Sequence, residues 1–374
     1  MSHVVVAPVA ARSEQKLFLE FPWRHYRGDP NWVPPLRQNQ KELVGFAWHP
    51  FYDDAQSQAF LATRGGEVCG RILALVNHAH NRYYDEKRGF FGFFETVDDP
   101  AVAHGLFDAA CDWLRSQGMT AVRGPVNPSL NYECGLLTEG FDSPPTFMMT
   151  YNKPFYGGLI ESYGFEKAQD LYAYSGHVDM LKSLDKKLAF VVQEAAERFH
   201  IKVRPFDPKR FKQELAAFLH IYNESLVGTW GFVPLSEAEG EHMGKGLKHL
   251  IVPELAILAE IDGRIVGSTF GLLDYNPRIK AMDGRLFPFG FLKLLFGRRK
   301  IKRVRLLSTN VLPEYQRWGV GLVLVNGLVP KVLDWGIEYG EFSWVLESNH
   351  LSRKTLERGG AIREKTFRIY DRAL

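Results

Sequence analysis

A chain of 374 residues with 45% hydrophobic, 24% charged and 13% aromatic residues is long enough for two or three packed cores and too apolar to be a disordered polymer. Its 46 basic and 43 acidic residues leave a formal charge of +3, which excludes a protein whose affinity comes from neutralising many nucleic-acid phosphates. Cys69, Cys111 and Cys134 are widely spaced, with no Cys-x-x-Cys pair and no disulfide-scaffold density, so the expected compartment is reducing and cytoplasmic.

Met1 to Arg12 carries a short Val and Ala run followed, not preceded, by its arginine, so no signal peptide is expected. Val33-Pro34-Pro35-Leu36 precedes Phe60-Leu61-Ala62, and Gly66 to Gly70 then turns the chain into a second strand. His78 and His80, placed on a strand, would share one face; without further ligands they suggest a hydrogen-bonded pair, not a metal site. Gly89 to Thr96 is a strand that runs into Val97-Asp98-Asp99-Pro100, and Gly124 to Asn131 is a proline-bracketed turn region. Asp185 to Phe199 reads as an amphipathic helix through Leu188, Val191, Val192, Ala195, Ala196 and Phe199.

Beyond that helix the pattern starts again. Val233-Pro234-Leu235 echoes the first Val-Pro segment, and Leu255–Ile261 with Ile265–Tyr275 form a hairpin through Asp262-Gly263. Ile257-Leu258-Ala259 repeats Phe60-Leu61-Ala62. Asn152, Glu161, Gly164 and Tyr174 recur as Asn349, Glu357, Gly360 and Tyr370, at offsets of 196 or 197. Matches in one order across both halves imply two copies of one α/β fold with a mixed sheet. The boundary is expected between Gly176 and His200, giving domains 1–180 and 181–374.

Arg303 to Leu312 is a strand that empties into Pro313-Glu314-Tyr315-Gln316-Arg317-Trp318-Gly319-Val320-Gly321. Gly321 to Trp335 has helical spacing, with Pro330 expected to kink or break it. A strand, a glycine turn and a helix start together make an anion site from main-chain amides, suited to a pyrophosphate. Glu341 to Glu347 is the next strand.

These residues resemble the GNAT superfamily of acyl-CoA N-acyltransferases, whose hallmark is Gln or Arg, two residues, Gly, one residue, then Gly or Ala. Gln316 to Gly321 matches it, with Val311 and Pro313 before it and Glu347-Ser348-Asn349 followed by Leu356-Glu357-Arg358-Gly359 after it. The resemblance is strong over about the last third of the chain. The first half resembles a degenerate copy without the loop, so a tandem GNAT with one acyl-CoA site is implied, and no metal.

The resemblance implies direct attack of an amine on the acyl-CoA thioester, driven mainly by proximity. By position, amides of Asn310, Val311 and Leu312 would hold the pantetheine and thioester, those of Arg317, Trp318, Gly319, Val320 and Gly321 the pyrophosphate, with Gln316 and Asn349 completing the cofactor set. Many members carry a Tyr seven residues after the Asn; here that position is Leu356. Tyr315 or His350 is left as the acid, unless the thiolate leaves unassisted, and Glu347 is the candidate base or else a capping glutamate.

In the first half, Asn127, Ser129 and Asn131 are candidates to hydrogen-bond an acceptor and Glu95 to hold an ammonium, against the alternative that the asparagines only form turns. Leu286 to Phe296 is apolar, Arg298 to Arg305 is basic, and no acidic residue lies between Asp283 and Glu314. Such a segment suits a peripheral contact at the inner membrane surface, or else covers a loop. With it, the resemblance extends in general likeness to the bacterial ceramide-synthase type, so the expected acceptor is a lipid-like long-chain amine of sphingoid-base type. The alternatives are an N-acetyltransferase of a small soluble amine, an aminoacyl-tRNA-dependent transferase, which salt-sensitive tRNA binding would reveal, and a non-catalytic acyl-CoA sensor.

Overall fold

The computed structural model describes residues 3–183 and 186–374; the side chains of 181–189 and 191 are outside that description. The first half runs β1 (Val4–Pro8), α1 (Arg12–His25), α2 (Arg37–Leu43), β2 (Ala55–Arg64), β3 (Glu67–Asn77), α3 (His78–Tyr84), β4 (Arg88–Thr96), α4 (Pro100–Ser116), β5 (Ala121–Gly124), β6 (Val126–Asn127), β7 (Glu133–Cys134), β8 (Leu136–Glu139), α5 (Tyr156–Ser162) and β9 (Glu166–His177). The second half runs α6 (Lys186–Arg198), β10 (Lys202–Pro205), α7 (Phe211–Ser225), α8 (Glu237–Leu247), β11 (Ala256–Ile261), β12 (Arg264–Leu273), α9 (Asn276–Ala281), α10 (Gly290–Leu295), β13 (Arg303–Val311), α11 (Val320–Trp335), β14 (Tyr339–Leu346), α12 (His350–Arg358) and β15 (Ile362–Ala373).

The chain divides into two compact units: Met1–Leu171 with Asn276–Gly290 and Lys365–Leu374, and Tyr172–Tyr275 with Phe291–Glu364. In the first unit the strand order is β1-β2-β3-β4-β5-β15. α4 covers this sheet because Val102, Ala103, Leu106, Phe107, Ala110, Cys111 and Leu114 fall on one helical face, while Asp99 caps its start by accepting from the Ala101 N–H at 2.8 Å. Asp371 of β15 binds Arg123 of β5 through both carboxylate oxygens, each at 2.7 Å. Residues 276–290 belong here through Asn276, which donates to the Pro145 carbonyl at 2.7 Å, and through the Arg37–Asp283 ion pair at 2.7 Å.

In the second unit the order is β14-β13-β12-β11-β10. Val320, Val323, Leu324, Leu328 and Val332 bury one face of α11. On α8, Gly240 and Gly244 carry no side chain where Leu219 and Leu215 of α7 press against them, so the two helices approach closely.

Three expectations change. His78 and His80 open α3 and are not on a strand, because the Asn77 side chain caps a helix by accepting from the His80 N–H at 3.0 Å; His80 is buried against Glu86 at 2.6 Å. Pro330 neither ends nor splits α11, which runs from Val320 to Trp335, and Asn326, whose usual helical donor the proline removes, is an exposed residue. The amphipathic helix begins at Lys186 with Val192 buried, while Asp185 and the Leu188 and Val191 side chains lie outside the described residues.

Candidate active site

β13 and β14 are parallel neighbours that pair only at their beginnings, from Arg303 with Tyr339 to Leu306 with Phe342. Both continue, to Val311 and Leu346, so their later halves diverge. A bulge supplies the bend: against β12, Gly271 pairs with Leu306 and Phe270 with Ser308, leaving Leu307 as an extra residue. A strand in the middle of a sheet is normally covered, yet Thr309 is exposed and Leu306, Leu307 and Ser308 are half-buried. The result is a cleft open within the sheet.

The donors facing this cleft follow from the ladder. The Leu312 N–H donates to the Val266 carbonyl at 2.9 Å. Antiparallel bonding alternates, so Asn310 also turns its N–H into the β12 ladder, while Thr309 and Val311 turn theirs toward the divergent gap. Of the three strand amides expected to serve a ligand, only that of Val311 faces the gap, joined by Thr309; those of Asn310 and Leu312 do not.

After Leu312 the chain makes a short 3-10 turn over Pro313–Trp318, and Gly319 sits at φ +78° immediately before α11. That left-handed conformation favours glycine, and Ala195 of α6 would lie 3.2 Å from any Cβ there. At Gly321 a Cβ would meet only the methyls of Thr309 and Val311, at 3.9 Å. The Gln316 side chain donates to the Val311 carbonyl at 3.3 Å, tying the turn to the strand end, while Arg317 is exposed. Trp318 stacks on Phe199 at 4.8 Å and Tyr315 packs edge-on to Trp318 at 5.0 Å. The helix start has no side-chain cap and no acidic residue in its first turn, which leaves its amides and dipole suited to an anion.

At the end of β14, Glu347 is half-buried and its carbonyl accepts from Arg353 at 2.8 Å. Asn349 caps α12, its Oδ1 accepting from the Ser352 N–H at 3.1 Å, and His350 is exposed at the first turn. Leu356 packs with Phe342 and Val345 against Tyr172 and Tyr174, an apolar setting; the Tyr174 hydroxyl donates to Glu357 at 2.8 Å.

Two further residues escaped the sequence reading. A Cβ at Gly267 would meet Val320 and Leu324 of α11, and the Thr309 and Val311 side chains approach Gly321, so these residues face α11. Alternation turns Ser268 and Asn310, paired across β12 and β13, to the opposite face, where Phe270 packs against Phe218 of α7 at 5.5 Å. Ser268 is 0% and Asn310 4% exposed, yet among the described residues Ser268 Oγ and Asn310 Nδ2 have no hydrogen-bond partner. Leaving such a group unmatched costs about 1–3 kcal/mol. The only sequence signal was polarity within an apolar strand. Below them on this face, buried Arg305 donates to Ser343 at 2.8 Å, and Ser343 donates to Glu341 at 2.7 Å.

The first unit has the same geometry, filled. β4 and β5 pair in parallel only from Arg88 with Ala121 to Phe90 with Arg123. Past that point any Cβ on Gly92 would run into the Val126 carbonyl, and Asn127 Oδ1 accepts from the Phe93 N–H at 2.7 Å. The Thr96 N–H donates to the Tyr156 hydroxyl at 3.0 Å. Glu95 is partly buried, its side chain 13% exposed, and accepts from Tyr26 at 2.6 Å and Tyr156 at 2.8 Å, with Arg71 at 3.7 Å. Burial pushes its carboxyl up, opposed by the Arg71 charge. Ser129 accepts from the Asn131 N–H at 3.2 Å, a local turn. The expected acceptor contacts of Glu95, Asn127 and Ser129 are thus engaged by the protein's own groups.

No family model matches the chain. It is 36% identical over 380 residues to the bacterial ceramide synthase of Caulobacter vibrioides, covering 99% of this chain and 97% of that one. It is 36% identical over 372 residues to protein YghO of Escherichia coli K12, covering 97% and 94%. Among solved structures, a tandem GNAT protein from the clavulanic acid biosynthesis pathway superposes with a TM-score of 0.58 at 10% identity, covering 99% of this chain and 98% of that one.

Proposed function

We propose that this chain, which belongs to the family of the Caulobacter bacterial ceramide synthase and YghO and is a tandem GNAT-type N-acyltransferase, moves an acyl group from acyl-CoA to the amine of a lipid-like, sphingoid-base-type acceptor at a membrane surface. The observation that carries the reading is the divergent β13–β14 edge leading into an uncapped helix start.

In this reading the CoA diphosphate lies on the amides of Arg317 to Gly321, and the pantetheine runs along the edge donors of Thr309 and Val311. The neutral amine attacks the thioester carbonyl, a C–N bond forms and the C–S bond breaks. Glu347 takes the amine proton, directly or through water. Leu356 offers no proton, and a thiol with an ordinary pKa near about 8.5 departs as thiolate, with Tyr315 and His350 as the nearby groups that would protonate it. Holding amine and thioester together supplies on the order of 7–11 kcal/mol.

Support for a lipid acceptor comes from the ceramide synthase relative and from residues 286–305. Phe287, Phe289 and Phe296 are 80%, 70% and 73% exposed, followed by exposed Arg299 and Lys300. Exposed aromatic side chains followed in the sequence by basic ones suit an anionic headgroup layer. No described helix is long and apolar enough to cross a membrane. The test is thiol release from acetyl- and palmitoyl-CoA with long-chain and short soluble amines; no release with any pair would overturn the enzymatic reading, and preference for short amines the lipid one.

A further inference from the structure

We infer that Ser268 and Asn310 form a recognition pair for an uncharged hydroxyl group close to the amine of the acceptor. The inference rests on the acyl-transfer reading above and adds the two side chains that would recognise the head of such an acceptor. The two side chains face each other across β12 and β13, both are buried, and Ser268 Oγ and Asn310 Nδ2 are without partners among the described residues. Asn310 belongs to β13, the strand whose edge donors line the cleft, and Ser268 to its neighbour β12, both on the face away from α11. The diphosphate end of the co-substrate is assigned to the α11 side, so the opposite face is where the attacking amine arrives.

The first unit shows a different pair at these positions. Gly70 pairs with Thr96 as Gly267 pairs with Val311, so Arg71 and Glu95 occupy the positions of Ser268 and Asn310. There the pair is charged, and Glu95 is held by Tyr26 and Tyr156. In the second unit the pair is neutral, one hydroxyl and one amide. A carboxylate would select an ammonium; a hydroxyl and a carboxamide select a group that both donates and accepts without charge. A sugar-like or diol-type hydroxyl beside the amine has that chemistry, and a plain alkylamine lacks it.

The probes are a water-soluble short-chain 2-amino-1,3-diol and the alkylamine of equal length, titrated calorimetrically into the full chain saturated with CoA. Wild type binds the aminodiol at least about tenfold tighter than the alkylamine. Ser268→Ala and Asn310→Leu each bring that ratio close to one. Ser268→Ala does not lower the melting temperature, because it removes an unmatched buried hydroxyl, whereas a structural role for Ser268 would lower it. An unchanged ratio in both variants, no aminodiol preference in wild type, or an equal fall in CoA affinity would each overturn the inference. Thiol release by wild type is read separately: binding of the aminodiol without turnover sinks the acyl-transfer reading alone, and turnover without preference sinks the recognition pair alone.

Discussion

The Tyr156 hydroxyl accepts from the Thr96 N–H at 3.0 Å, at the main-chain position that Val311 occupies in the second unit. One phenol therefore fills, in the first copy, the strand edge that the second copy leaves facing a gap.

Tyr156→Phe should destabilise the first unit by about 1–3 kcal/mol, since Thr96 loses its acceptor and Glu95 a donor in a buried setting. Acyl-CoA affinity should be unchanged and wild type should bind one acyl-CoA per chain. Urea midpoints and calorimetric stoichiometry read both, and two equivalents per chain would refute the single site.

Gly319→Ala should cost about 1–2 kcal/mol because the residue is held at φ +78°, and the added methyl meets Ala195. Displacement of the turn should weaken acyl-CoA binding at least about tenfold, and Gly319→Glu, which adds negative charge at the helix start, should abolish it. Wild-type affinity in both variants would remove the turn from the diphosphate site.

Glu347→Gln should leave acyl-CoA binding intact and slow turnover on the order of a hundredfold at neutral pH. Single-turnover rates separate the two effects. An unchanged rate would exclude Glu347 as the base.

Burial, reinforced by Lys153, Arg71 and Arg24, holds His25 at about 4. The unfolded chain protonates it near about 6.5. Its contribution is therefore complete above the unfolded value and is lost as pH falls from there toward the folded one. Glu95 acts in the other sense: burial raises its carboxyl, so its ionisation opposes folding as pH rises past the ordinary carboxylate range. His25→Asn removes the first effect and keeps the second. Wild type should lose stability relative to this variant between about pH 6.5 and 4; a pH-independent difference in denaturation midpoints would show that His25 titrates alike in both states.

Phe287→Ser with Phe289→Ser and Phe296→Ser should reduce co-sedimentation with vesicles containing anionic lipid, and added salt should weaken wild-type binding. Equal sedimentation of wild type and triple variant would detach these aromatic residues from membrane contact.

The sequence by itself determined the duplication, the Gln316 to Gly321 turn and the hairpin around Asp262-Gly263, because each is written in contiguous residues whose backbone preferences are local. It also carried the family, for the same reason. Three things had to await the tertiary structure. Which strand amides face the gap depends on ladder alternation, which turned those of Asn310 and Leu312 toward β12 and left those of Thr309 and Val311 at the edge. The engagement of Glu95, Asn127 and Ser129 with their own unit depends on partners as distant as Tyr26 and Tyr156. Residues 276–290 and 365–374 join the first unit through Pro145, Arg37 and Arg123, pairings separated by more than a hundred residues. Local propensity is blind to register and to long-range partners, and in this protein those two quantities divide an open cleft from a filled one.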